Sequence, residues 1–266
     1  GPENWEIPFE VHTPGDVIQP VSPANNSVSD QGFTLTVLSV ASSTTDTGVS
    51  LRVDWNDPNL STLAGLDVEL RDEQGRGYQR LETIRVTGDQ YLPGVGYPLT
   101  REQRLRYAPL EAGVNQITLR ASKMMFKANK SGAFIFDPGI APTAGQQWDL
   151  QRLPGSMLTI GGIPVQLLDA QLINQKTQSV FPGEAANFAL IVHLKALPVS
   201  ARELTSVTAV CGDMKNILGI ESTLEGDGRI TLTYYLHTIP NQPIQIQLED
   251  SLIQIDGTWK IDMQLP

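Results

Sequence analysis

The residues able to do chemistry are few. Three histidines, His12, His193 and His237, and one cysteine, Cys211, are the base, nucleophile and metal-ligand candidates in a chain of 266 residues. They are scattered, without the close His or Cys spacing of a zinc site. His193 and His237 fall on segments of alternating polarity, so a pair of neighbours in one sheet is one reading and two surface histidines the other. A Ser/His/Asp constellation is defined by closeness in space, so the sequence leaves it open. The Gly-x-Ser-x-Gly elbow of the α/β hydrolases is absent. A single cysteine forms no intrachain disulfide, and its setting in Val207-Thr208-Ala209-Val210-Cys211 predicts a buried, inert thiol. Asp54, Asp57 and Asn59 cluster oxygen donors of the kind calcium prefers, but without the EF-hand's glycine and distal glutamate. The same residues are ordinary turn formers. Asp67, Glu69, Glu249 and Asp250 are acids that no spacing brings together across a cleft. Glycines cluster at turns and do not lead into helices, so no phosphate loop is present. Enzyme chemistry has no positive support, and neither metal nor cofactor is expected.

Binding residues are better represented. Arg120, Lys123, Lys127 and Lys130 lie in one short stretch free of acids, with Met124, Met125 and Phe126 between them. A basic stretch with an apolar tip suits a membrane surface, a protein partner or an anionic polymer. The alternative is a strand end and turn with Phe126 packed inward and the lysines solvated. Tyr91 and Tyr97 flank Leu92-Pro93-Gly94-Val95-Gly96 inside a long connection, Thr87 to Arg104, and aromatics on such loops stack on sugar rings. Tyr91, Tyr97, Lys123, Phe126 and Lys127 are therefore the ligand-contact candidates. With 19 basic against 29 acidic residues the formal charge is −10, which repels nucleic-acid backbones.

The elements that must position these residues are strands. Phe33, Leu35 and Val37 alternate with polar neighbours, as do Val49, Leu51, Val53 and Trp55, and period two is the mark of a half-buried strand. Polar Ser42 to Gly48 between them reads as a hairpin connection. Phe188, Leu190, Val192 and Leu194 form one face of a later strand, and Glu225-Gly226-Asp227-Gly228 is a hairpin turn. Only Thr100–Leu105 and Asp213–Leu218 suit a helical turn. The 23 glycines and 18 prolines exceed the average usage of roughly 7% and 5%, as a turn-rich β protein requires. No run approaches the roughly 20 apolar residues of a membrane-spanning helix. The expected fold is all-β, two tandem antiparallel β-sandwiches of immunoglobulin-like type. Residues 1–27 read as a tag remnant (Gly1-Pro2) and a proline-rich linker or edge strand, 28–155 as the first sandwich and 156–266 as the second. Trp148 and Trp259 sit in similar motifs, which predicts that a Trp-bearing last strand closes each half.

Ser27-Val28-Ser29-Asp30-Gln31-Gly32-Phe33-Thr34-Leu35-Thr36-Val37, followed by Val49-Ser50-Leu51-Arg52-Val53, resembles the extracytoplasmic region of membrane-anchored bacterial anti-sigma-factor-like proteins. In that family a domain of unknown function opens with an Asp-x-Gly strand pair and ends in a Gly-x-Trp strand. Asp256-Gly257-Thr258-Trp259-Lys260-Ile261 supplies the similar ending here, and Trp148 a weaker one. The resemblance implies a non-enzymatic sensing or interaction ectodomain at the cell surface, acting as a monomer on an extracellular ligand or protein partner. Its membrane tether would lie outside the given sequence. The alternative is a carbohydrate-binding or adhesion module. The family brings no catalytic residues.

Overall fold

The computed structural model describes residues 26–85, 102–129, 131–137, 147–149, 151–152, 157–178, 185–212, 217–239 and 243–265. These form strands and turns without a helix, so the chain is all-β and carries no helix able to cross a membrane among the described residues. The first strands are β1 (Ser27–Asp30), β2 (Phe33–Ser42), β3 (Thr47–Trp55), β4 (Leu60–Asp72), β5 (Gly77–Tyr78), β6 (Arg80–Arg85) and β7 (Glu102–Tyr107). Next come β8 (Gln116–Ala128), β9 (Ala133–Asp137), β10 (Gln147–Asp149), β11 (Gln151–Arg152), β12 (Met157–Ile160), β13 (Ile163–Gln178) and β14 (Ala185–Ala196). The last are β15 (Arg202–Ser206), β16 (Ala209–Cys211), β17 (Ile217–Leu224), β18 (Arg229–Leu236), β19 (Ile244–Leu248) and β20 (Leu252–Gln264).

Four antiparallel sheets result. Sheet I runs β1-β2-β3-β7-β6, sheet II β15-β20-β8-β4-β5 and sheet III β11-β9-β19-β16. Sheet IV runs β10-β13-β14-β18-β17, with β12 also on β13. The period-two readings hold: Val49, Leu51, Val53 and Trp55 are buried, as are Leu190, Val192 and Leu194. The Ser42–Gly48 connection is a hairpin, pinned by Ser43 N–H donating to Asp46 O at 2.8 Å. Glu102–Tyr107 is extended rather than a helical turn, with Gln103, Leu105 and Tyr107 inward and the charged residues between them outward.

Sheets I and II pack face to face. Phe126 on β8 lies 4.9 Å, centroid to centroid, from both Phe33 on β2 and Trp55 on β3. The buried Trp259 on β20 donates its indole N–H to Phe33 O at 3.0 Å. Asp30 accepts the Thr258 N–H at 2.6 Å, so the two motifs of the family resemblance meet although 228 residues separate these partners. Gly257 is required there, because a Cβ would stand 2.4 Å from the Trp259 ring. Trp259 therefore closes the sandwich begun by the first strands.

The sheets are not partitioned at residues 153–156. Three segments run through sheet II into sheet III: β8 into β9, β15 into β16, and β19 into β20. Their order is the same in both sheets, β15-β20-β8 and β16-β19-β9. Where the ladder breaks between the sheets, two buried serines restore the backbone pairing. Ser131 Oγ accepts the Leu248 N–H at 3.0 Å, and Ser251 Oγ accepts the Thr208 N–H at 3.2 Å. Unpaired buried amides are costly, which gives these hydroxyls their place in an otherwise apolar interior. Asp250 takes a positive φ of 48° at the same kink. The apolar interior is correspondingly one continuous cluster, from Phe33 to Met263.

Candidate binding groove

At one corner β6 and β7 of sheet I adjoin β4 of sheet II. The β4–β8 ladder shifts register twice, at Leu63/Gly65, where β4 carries the extra residue, and at Asp67/Val68, where β8 carries it at Ser122, and such bulges bend a strand. The open groove beside them has a volume of about 390 Å³ and is walled by Leu66 and Asp67 of β4, Lys123 and Met125 of β8 and Gln254 of β20. Arg80, Thr83 and Gln103 close it from sheet I. That volume lies within the roughly 300–1,000 Å³ typical of small-ligand sites.

The groove's corner is tied down by two bonds from sheet I to β4. Arg80 Nη1 donates to Leu66 O at 3.1 Å, and the buried Tyr107 hydroxyl donates to Val68 O at 3.2 Å. Burial pushes the Tyr107 phenol far above its ordinary value; Arg80 opposes that shift and Asp67 adds to it, so the hydroxyl stays protonated. Gln103 follows the inward phase of β7 and is 4% exposed. Its Oε1 has no hydrogen-bond partner, although it is buried. Lys123, exposed on β8, faces Asp67 and Asp256 across the ladders and makes no ion pair among the described residues. Asp256 Oδ1 instead accepts from Gln254 Nε2 at 2.9 Å.

Of the residues singled out in the sequence, the structure brings Lys123 and Asp67 into this groove. Lys127 is exposed further along β8, opposite Thr62 and Leu252, and lines no part of it. Phe126 is fully buried against Phe33 and Trp55 and is withdrawn as a contact residue, since alternation along β8 turns Met124, Phe126 and Ala128 inward. Tyr91, Tyr97 and Lys130 lie outside the described residues. Arg80, Gln103 and Gln254 escaped the sequence reading. For Gln103 a signal existed, a polar residue in phase with Leu105 and Tyr107.

The other candidates resolve separately. His193 Nδ1 lies 2.6 Å from Asp169 Oδ1 on the exposed face of sheet IV. His193 pairs with Thr231, whereas the main chain of His237 accepts from Asn187, so the two histidines are not neighbours. Asp57 is committed to structure. Its Oδ1 accepts from Asn59 N at 2.8 Å, and its Oδ2 meets Arg202 Nη2 at 2.6 Å. Burial alone would raise its pKa, but the bond from Asn59 and the Arg202 guanidinium hold the carboxyl below its ordinary value. Arg202 also donates to Gly161 O at 2.8 Å, so it joins the β3–β4 turn to the β12–β13 turn. Gly161 has a φ of +58°, and a Cβ there would stand 2.3 Å from Ile253. Cys211 is buried, as expected. Among the described residues no group of three or more His, Cys, Asp or Glu is arranged to hold a metal ion.

No family model matches the chain, and no curated protein is significantly similar to it. Among solved structures, a conserved domain protein from Bacillus anthracis aligns over 93% of this chain and 92% of its own. Its identity is 11% and its TM-score 0.24, a superposition too weak to bear on fold or function.

Proposed function

We propose that this chain is a non-enzymatic, extracytoplasmic interaction module of a membrane-anchored bacterial protein, related to anti-sigma-factor-like regulators, with the groove between sheets I and II as its ligand site. The observation that carries this reading is the buried Gln103 Oε1, which has no hydrogen-bond partner, on a residue that lines the groove together with Arg80 and Lys123. A buried polar group without a partner costs stability that a ligand's hydrogen bond recovers. The groove's lining holds hydrogen-bonding and charged side chains but no hydroxyl or thiol bonded to a base, so it is suited to binding rather than turnover. The meeting of Asp30 with the Gly257-Thr258-Trp259 segment gives the family motifs a shared structural purpose.

Two measurements test this function. Cell fractionation with protease shaving should find this region of the native protein outside the membrane and open to protease. Purified protein should bind isolated cell envelope saturably as a monomer, and Lys123→Glu should weaken that binding at least tenfold while the remote Arg229→Gln leaves it unchanged. A cytoplasmic, protease-protected location would overturn the proposal, as would turnover on a broad hydrolase panel.

A further inference from the structure

We propose that the groove takes a carboxylated sugar residue of a polysaccharide. The inference rests on the reading of the groove as a ligand site and follows from what its walls leave unmatched. Gln103 Oε1 is an acceptor, so it asks for a ligand with a hydrogen-bond donor. A bare carboxylate, sulfate or fully ionised phosphate has none. Arg80 and Lys123 are cations, and the lining offers one carboxylate, Asp67, against the two of them. A neutral sugar would supply donors to Gln103 and Asp67 and hydroxyl acceptors to Lys123, but no charge to meet that ammonium, which has no ion pair among the described residues. A uronic-acid residue carries both groups on one ring: hydroxyls for Gln103 Oε1 and Asp67, and a carboxylate for Lys123 and Arg80. Charge-assisted hydrogen bonds of the second kind are about twice as strong as neutral ones, which makes the carboxylate the anchoring group. Leu66 and Met125 present apolar surface to the C–H face of the ring, a role Met's flexible thioether fills well. Asp67 and Asp256 flank Lys123 across the ladders in a chain of net charge −10, so recognition depends on contact within the groove and not on long-range attraction.

The test is calorimetric titration of the intact chain with tetramers of galacturonate, glucuronate and mannuronate, with their methyl esters and with tetraglutamate. At least one acidic tetramer should bind, and its methyl ester, which keeps the ring and loses the charge, should bind at least tenfold more weakly. Tetraglutamate should bind no better than the ester. Lys123→Gln and, independently, Gln103→Leu should each weaken binding of the acidic tetramer about tenfold or more, with unchanged circular dichroism. Absence of binding to all three acidic tetramers, equal binding of ester and acid, tighter binding of tetraglutamate, or indifference to both substitutions would each overturn the inference. Saturable envelope binding sensitive to Lys123→Glu but without uronate binding would reject the sugar and leave the proposed function standing.

Discussion

Trp259→Phe tests whether sheets II and III behave as one body. The substitution keeps an aromatic ring but removes the N–H that donates to Phe33 O at 3.0 Å. Leaving that buried carbonyl unpaired costs about 1–3 kcal/mol. The void left by the missing second ring adds about 1 kcal/mol at ~24 cal/mol per Å³. The total, about 2–4 kcal/mol, corresponds to a roughly 30- to 700-fold larger population of the open state at ~1.4 kcal/mol per decade. Cys211 reports on that population from elsewhere in the fold. It is 1% exposed and sits on β16 in sheet III, whereas Trp259 is on β20 in sheet II. Alkylation of this single thiol, followed by mass spectrometry in urea just below the unfolding transition, should accelerate by that factor. The reasoning fails if the circular-dichroism midpoint drops while Cys211 labelling keeps its wild-type rate, because sheets II and III would then open independently.

Three further outcomes are expected. Ser251→Ala removes the hydroxyl that accepts the Thr208 N–H and should cost about 1–3 kcal/mol, seen as faster hydrogen exchange at Thr208 and at Glu249, whose N–H donates to Thr208 O; unchanged exchange at both would show that water satisfies the kink. Gln103→Leu replaces an unpartnered buried amide by an apolar side chain of similar size and should raise stability by about 1 kcal/mol in urea titration while weakening ligand binding. A loss of stability would mean that the amide is satisfied in solution. Asp57 has its folded pKa below the ordinary 3.8, so its contribution is present above that value and lost as pH falls through the lower folded one. Acid titration should therefore show a steeper fall in stability below about pH 4 for the wild type than for Asp57→Asn, and parallel curves would remove the Arg202 tie from the account.

What local periodicity can report is legible: the inward faces of β2, β3 and β14, the hairpin turns, and a buried Cys211. What depends on distant partners is not. The residues of β20 look like those of any half-buried strand, and nothing in Leu252–Gln264 marks β8 as the neighbour. The Thr100–Leu105 reading fails over its described part, Glu102–Leu105, because Glu102 and Arg104 suit a polar helical face as well as an outward strand face. Tertiary pairing with β3 and β6 decides between them. Lys123 and Phe126 were singled out together, and the pleat sends them to opposite sides. The groove lies beside bulges in the β4–β8 ladder, whose positions follow from register, and its key amide is conspicuous only once Leu105 and Tyr107 are known to point inward.

The shared strands also set the order in which the molecule can be made. Strand β8 needs β20 along one edge, with Lys127 against Leu252 at one end and Gln116 against Gln264 at the other. A ribosome emits Ala128 long before Leu252; at roughly 5–20 residues per second the interval is about 6–25 s. Throughout it the nascent chain presents an unpaired strand edge, the kind of surface on which chains aggregate or chaperones settle. The two shared sheets are thus completed only when the last strands arrive, and a fragment ending near residue 155 would lack β15, β16, β19 and β20.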